Sequence, residues 1–180
     1  MTPKQIFFVT GVGTHKHKLA SFESALRGAG IEKYNLVYVS SIFPPGCQQV
    51  SPATGLKELN PGQIVYCVMA KSQTNEPNRL ISAAIGVARP KNLSKYGYLS
   101  EHHAYGETAK VSSEYAEDMA ATMLATTFGI PFDPDTAWDE RKQVYKASGN
   151  VFQTKSYCKS ARGNKNGLWT TVVSAAVLIL

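Results

Sequence analysis

An α+β protein, with helices laid over the faces of sheets, is the fold class this sequence predicts. Three observations carry the expectation. Six or more short runs are rich in β-branched and aromatic residues. Two helical patterns occur, one early and one late. The 180 residues are 43% hydrophobic and only 18% charged, which fits one well-buried domain over residues 1–180 and excludes intrinsic disorder.

Gln5 to Thr10 (QIFFVT) reads as a buried strand, with a glycine-rich turn expected at Gly11-Val12-Gly13. Leu19, Phe22, Ala25 and Leu26 then share one helix face, with Gly28 and Gly30 as stops. Asn35 to Ser40 is a second strand, and Pro44-Pro45-Gly46 breaks the chain soon after it. Apolar runs at 64–70 and 80–88 flank a polar loop at 71–78, and 96–101 is another strand. Glu107 to Phe128 is the one long helix, with small or apolar residues at 111, 115, 119 and 123 and at 116, 120 and 124. Strand candidates at 144–146, 150–157 and 168–180 complete the chain.

Several function classes lose support at once. Net charge is +6, but no block of five or six like charges forms and no nucleic-acid-binding motif appears, so the lysines read as a solvated surface and no nucleic-acid partner is expected. The apolar stretch at 172–180 is half of what a spanning helix needs, and the N-terminal apolar run is too short for a signal peptide. No membrane association and a cytoplasmic location are the expectations. Cys47, Cys67 and Cys158 are an odd, widely spaced set, which argues against a disulfide framework or a structural zinc. The third glycine of a dinucleotide motif would fall at Lys16, so Gly11 and Gly13 read as a turn without a phosphate. Glu101-His102-His103 does not read as a metal site, because neighbours on a strand point to opposite faces. No GxSxG elbow supports a serine hydrolase.

One segment resists a purely architectural account. At Asn35-Leu36-Val37-Tyr38-Val39-Ser40-Ser41-Ile42-Phe43-Pro44-Pro45 a buried-looking strand runs into two serines and then a proline pair. A strand ending in a turn explains the serines, which bond readily to nearby backbone. A chemical site explains them equally well, and the local features leave both readings open.

Here the chain resembles the pyruvoyl-dependent arginine decarboxylases. The resemblance centres on Val39-Ser40-Ser41-Ile42 with Pro44-Pro45, and on Asn35 at the family's spacing. It extends to residues 19–26, to Thr74-Asn75-Glu76 before Arg79-Leu80, to 97–103, to 114–117 and to 169–173, nearly the whole chain. What it implies is specific. The fold would be a four-layer αββα sandwich. The chain would cut itself between Ser40 and Ser41 into a β subunit (1–40) and an α subunit (41–180), Ser41 becoming a pyruvoyl group, with Asn35 supporting the processing. That group would decarboxylate L-arginine to agmatine through a Schiff base, with neither pyridoxal phosphate nor a metal. Glu101 would be the proton donor, against the plainer reading of a strand-edge carboxylate. Glu23 would bind the guanidinium from a position where a related enzyme has aspartate, one methylene or about 1.5 Å shorter; an ion pair with Arg27 is the other account of it. The assembly would be a homo-oligomer, a trimer or a multiple of trimers. The same chemistry on another amino acid, or an uncleaved binding paralogue, stand as alternatives.

Overall fold

The computed structural model describes residues 1–129 and 152–180. Its elements in chain order are β1 (Gln5–His15), α1 (Lys18–Ala29), β2 (Asn35–Tyr38), β3 (Ile42–Phe43), β4 (Gln48–Gln49), a one-turn helix α2 (Pro52–Gly55), β5 (Ile64–Thr74), β6 (Leu80–Pro90), β7 (Gly97–Tyr105), α3 (Ala109–Thr127), β8 (Phe152–Arg162) and β9 (Trp169–Ile179). They form two sheets, ordered β2-β5-β9-β1-β4 and β3-β7-β6-β8.

Period-two side-chain alternation assigns every strand two jobs. Ile6, Phe8, Val68, Ala70, Val172 and Ala176 of the first sheet meet Ile81, Ala83, Ile85, Val87 and Leu99 of the second in one core. Phe8 stacks on Tyr157 across that core at 4.1 Å, and the Ser174 hydroxyl donates to the Tyr157 carbonyl at 2.7 Å. The opposite residues of the first sheet, among them Phe7, Val9, Cys67, Met69 and Val173, pack against Ala25 and Ala29 of α1. Ala88 of the second sheet packs against Ala120, Ala121, Leu124 and Ala125 of α3. Helix, sheet, sheet and helix are therefore stacked as four layers, the expected α+β sandwich. Each fully buried large side chain, such as Phe7 or Phe43, contributes about 1.5–3 kcal/mol relative to exposure.

Close helix–sheet contact accounts for the departures from the sequence expectations. The turn expected at Gly11-Val12-Gly13 is instead strand, and β1 runs on to His15, paired with β9 throughout. A Cβ on Gly11 would lie 2.0 Å from the Ala25 carbonyl oxygen, and one on Gly13 2.3 Å from the Ala25 nitrogen. These glycines admit α1, and neither makes a turn. Gly28 sits inside α1 against Val12; only Gly30, with φ 76°, ends the helix. The loop expected at 71–78 is strand up to Thr74, because β5 keeps pairing with β9 to that residue. Of the two stripes on α3, that through Ala116, Ala120 and Leu124 is buried, while Val111, Tyr115 and Met119 are exposed. The small stripe wins because a Cβ on Gly86 of β6 would already meet the Ala116 carbonyl oxygen at 1.9 Å. The strand expected at 144–146, like the start of that expected at 150–157, lies outside the described residues.

The chain changes sheets at residues 39–41. β2 lies parallel to β5 at the edge of the first sheet, Tyr38 opposite Cys67, and Val39 N still donates to the Cys67 carbonyl at 3.0 Å. Three residues later β3 pairs with β7 in the second sheet, Ile42 opposite Tyr98 and Phe43 opposite Gly97. Ser40 and Ser41 form the corner.

Candidate functional site

At that corner backbone hydrogen bonds hold the two serines from both sides. Ile42 N donates to the Ser40 carbonyl at 3.0 Å, closing a γ-turn centred on Ser41, and Leu99 N of β7 donates to the Ser41 carbonyl at 2.8 Å. The Ser40 carbonyl is thus polarised by a donor one residue beyond the bond it shares with Ser41. The Ser41 hydroxyl is bonded to no partner among the described residues, so it is free to act as a nucleophile on the carbonyl that precedes it. Ser40 is exposed and Ser41 half-buried.

Glu101 is brought to the same place by strand period. It lies two residues beyond Leu99 on β7 and so projects from the same face, towards the first sheet. Glu101 is exposed in the single chain, yet partial desolvation by its neighbours raises its carboxyl above the ordinary value, offset in part by the His103 imidazole. Burial also pushes the Cys67 thiol up to about 12, with Glu101 adding to it. Burial raises the Tyr38 hydroxyl too, followed by Cys67 and Glu101. Glu101 acts on Tyr38 and Cys67 only electrostatically, since the Cys67 side chain lies on the α1 face of the first sheet and the Tyr38 hydroxyl is bonded to Met69 of that same face. The Tyr38 hydroxyl donates to Met69 Sδ at 3.2 Å.

His102 belongs elsewhere. It faces α3, where Nε2 lies 2.9 Å from Glu107 Oε2 and the ring packs on Tyr115. Glu107 also accepts from the Ser112 hydroxyl at 2.9 Å, and its carboxyl is lowered, chiefly by the His102 hydrogen bond. The two adjacent histidines thus point to opposite faces of β7. Among the described residues no three His, Cys, Asp or Glu side chains are grouped to hold a metal ion.

Two other sequence-derived candidates are not brought to the corner within one chain. Asn35 begins β2 at its far end, about 16 Å of extended strand from Ser40. Its side-chain amide donates to the Gly62 carbonyl at 2.6 Å, tying down the loop before β5. Glu23 lies on the outward side of α1, ion-paired with Arg27. That helix covers the first sheet on the face away from the second.

A cavity of about 510 Å³ also reaches the corner, lined by Val39, Ser40, Ile42, Pro44, Tyr66 and Leu178 among others. Neither Ser41 nor Glu101 lines it, so it opens on the Ser40 side and does not join the nucleophile to the acid.

The Ile42 and Leu99 amides were invisible to motif reasoning, because a backbone donor leaves no residue signature. Tyr38 and Cys67 carry no signal either, since both read as strand interior. No helix among the described residues is long and apolar enough to cross a membrane.

Comparison with known proteins gives a consistent result. The family model described as "Pyruvoyl-dependent arginine decarboxylase (PvlArgDC)" matches residues 5–180. A relative from Methanococcoides burtonii named "Pyruvoyl-dependent arginine decarboxylase" is 63% identical over 180 residues, covering 100% of both chains. One from Chloroherpeton thalassium, named "Probable pyruvoyl-dependent arginine decarboxylase", is 63% identical over 98% of this chain and 97% of its own. One from Methanosarcina acetivorans, named "Pyruvoyl-dependent arginine decarboxylase 2", is 59% identical over 99% of this chain and 98% of its own.

Proposed function

The chain belongs to the pyruvoyl-dependent arginine decarboxylase family, and we propose that it cuts itself between Ser40 and Ser41 and then converts L-arginine to agmatine and CO2. The relatives' names support the substrate. The self-cleavage rests on one observation above all: a carbonyl already bonded to the Ile42 amide, followed by a serine whose hydroxyl is unengaged among the described residues.

Ser41 Oγ attacks the Ser40 carbonyl carbon, exchanging the peptide bond for an ester. Peptide planarity resists this, so charge on the Ser40 oxygen must be stabilised, and the Ile42 N–H is aimed at that atom. Elimination across Cα–Cβ of residue 41 then leaves a carboxylate on Ser40, and water releases ammonia from residue 41. The corner fits a pyruvoyl group there, because the Leu99 amide holds the carbonyl that stays with residue 41. Once formed, that group supplies an electrophilic ketone for the substrate's α-amine and an electron sink for CO2 loss.

Glu101 delivers the proton that replaces CO2 on the α-carbon. Its raised carboxyl suits the task, since it stays protonated to higher pH than an ordinary acid. Glu23 receives the guanidinium, exchanging Arg27 for the substrate, and because α1 faces outward it serves a neighbouring chain's site. A trimer or multiple of trimers fits this. It would cover the apolar edge of the first sheet, where Val37 and Tyr38 of β2 and Ile64 of the neighbouring β5 are 39%, 52% and 61% exposed in the single chain. Asn35, on that edge, would then act on processing only through the loop it anchors.

Intact mass spectrometry tests the cleavage: two chains, 1–40 and a blocked 41–180, are expected, with one full-length chain for Ser41→Ala. CO2 release from arginine, lysine, ornithine and histidine tests the substrate. A fully active sample containing only uncut chain would overturn the proposal, and equal rates on all four would overturn arginine.

A further inference from the structure

Glu101 stands at the corner without a bond to hold it. Its carboxyl is exposed and makes no hydrogen bond or ion pair among the described residues. A side chain so placed takes its aim from the strand beneath it, and that strand is paired on one side only. β6 runs alongside β7 from Tyr98 to Tyr105, with Ile85 opposite Glu101. On the other side β3 pairs at Gly97 and Tyr98 and stops. A ladder on one edge fixes a strand's distance from its neighbour but leaves it able to roll about that edge, and roll is what swings a Cβ.

The two residues that flank Glu101 oppose such a roll. Ser100 and His102 lie about 3.3 Å along the strand on either side of it and project from the opposite face, against α3. The buried Ser100 hydroxyl donates to the Ala116 carbonyl of α3. His102 Nε2 lies 2.9 Å from Glu107 Oε2. The Glu107 carboxyl is lowered and so ionised at neutral pH, and a carboxylate only accepts, so the imidazole N–H is the donor. The same Glu107 oxygen accepts from the Ser112 hydroxyl at 2.9 Å, and that hydroxyl lies 2.6 Å from the hydroxyl of Ser82 on β6, both serines being fully buried. The His102 ring also packs on Tyr115, the centroids 4.3 Å apart.

One chain of bonds thus runs from the residue after Glu101 through Glu107 into α3 and β6. In the second half of α3 the sheet is met by Ala88 alone against alanines and Leu124. Beside Glu101 the contact is made by hydrogen bonds, which fix direction as well as distance.

We propose that Ser100 and His102 are positioning residues for the reaction: anchored to α3 on either side of Glu101, they fix the roll of β7 and so the carbon to which Glu101 delivers its proton. The inference rests on Glu101 being the acid of the proposed reaction. Aim matters because the electron pair left by CO2 is shared between two carbons, the α-carbon of the substrate and the former ketone carbon of residue 41. A proton on the first gives agmatine. A proton on the second leaves the substrate's nitrogen on residue 41, so that arginine and the pyruvoyl group become CO2, a guanidino aldehyde and an alanine at that position. Atoms and electrons balance without a further reactant, and the site is spent.

The test reads both turnover and the state of residue 41. His102→Leu and Ser100→Ala, each checked by mass for complete splitting, should lower kcat about 30-fold and about 10-fold with KM little changed, because a displacement of about 1 Å can cost about 100-fold and neither residue binds substrate. As turnover proceeds, N-terminal sequencing of their larger chain, blocked at the start, should open at alanine. His102→Gln, whose amide reaches about as far as Nε2 and can still donate to Glu107, should keep most of the parental kcat. Ser82→Ala is the control for a loosened helix: it removes a bond between α3 and β6 and leaves both flanks of Glu101 anchored, so it should lower Tm with kcat and the blocked end unchanged. Parental kcat in both flank variants, an equal loss in Ser82→Ala, a larger chain that stays blocked as kcat falls, or no recovery in His102→Gln overturns the positioning. Glu101→Gln should lose turnover outright; if it kept the parental rate, the assignment of Glu101 as the acid would fail, and the positioning with it.

Discussion

Removing one hydrogen bond donor at the corner should slow self-cleavage by an amount the structure sets. Replacing Ile42 by its α-hydroxy analogue keeps the side chain and converts the N–H that faces the Ser40 carbonyl at 3.0 Å into an ester oxygen. Deleting one oxyanion donor typically costs about 2.7–4 kcal/mol in a dry site. Ser40 is exposed, so water can take part of the donor's place, and about 2 kcal/mol, or roughly 30-fold in rate, is the expected loss. The Leu99 N–H still faces the Ser41 carbonyl, which becomes an ester carbonyl and a weaker acceptor. Replacing Leu99 by its own α-hydroxy analogue, which removes that bond and leaves the Ile42 N–H in place, is therefore the control for loss of position at residue 41. The assay is the disappearance of full-length chain by denaturing electrophoresis after synthesis. Cleavage at the parental rate would refute the argument that this amide stabilises the developing charge.

Three further outcomes are expected. Gly13→Ala should destabilise by about 3 kcal/mol, since its Cβ would meet α1 backbone at 2.3 Å and nothing flexible can yield; calorimetry should show Tm lower by roughly 10 °C, whereas an unchanged Tm would mean α1 does not pack this closely. Glu107→Gln should cost stability at pH 7. Because the folded carboxyl is lowered, that contribution is present above the unfolded value of 4.5 and is lost as pH falls through the folded one, so parent and variant melting curves should converge in acid. Turnover should fall as pH rises through the Glu101 value, which burial has raised, and a parent rate that stays flat well above neutrality would contradict an acid role.

How much of this was legible in the sequence depended on where the signal lay. Apolar alternation marked the strands correctly in type, but their ends ran on, as at His15 and Thr74, because pairing with β9 extends strands through residues of low propensity. Glycines were read by their local freedom, while Gly11, Gly13 and Gly86 serve contact with distant helices, which only the packed structure reveals. The serine pair stood out through its setting, a buried-looking strand before it and a proline pair after it, although a strand-ending turn explains the two hydroxyls equally well. Glu101 and His102 show what pattern alone gives: period two assigned them opposite faces, yet only the second sheet's position decided which face meets the corner. Asn35, whose processing role the resemblance implies, carries no local signal of its position, and within one chain it begins β2 with its side-chain amide on the Gly62 carbonyl.

The position of the corner also bears on whether the chain would keep its shape after the proposed cut. Val39 is bonded to Cys67 in the first sheet, while Ser41 is bonded to Leu99 in the second, so each side of the scissile bond is secured to a different layer. The segment ahead of the cut carries β1, α1 and β2. β1 is paired with β9 over all eleven of its residues, and β2 with β5 over four. Phe7 and Phe8 of that segment lie buried in the cores on either side of the first sheet. Breaking one peptide bond therefore removes a covalent tie that the ladders and cores do not need. The new ends would lie at Ser40 and Ser41, beside the part of β7 that pairs with no strand other than β6 among the described residues.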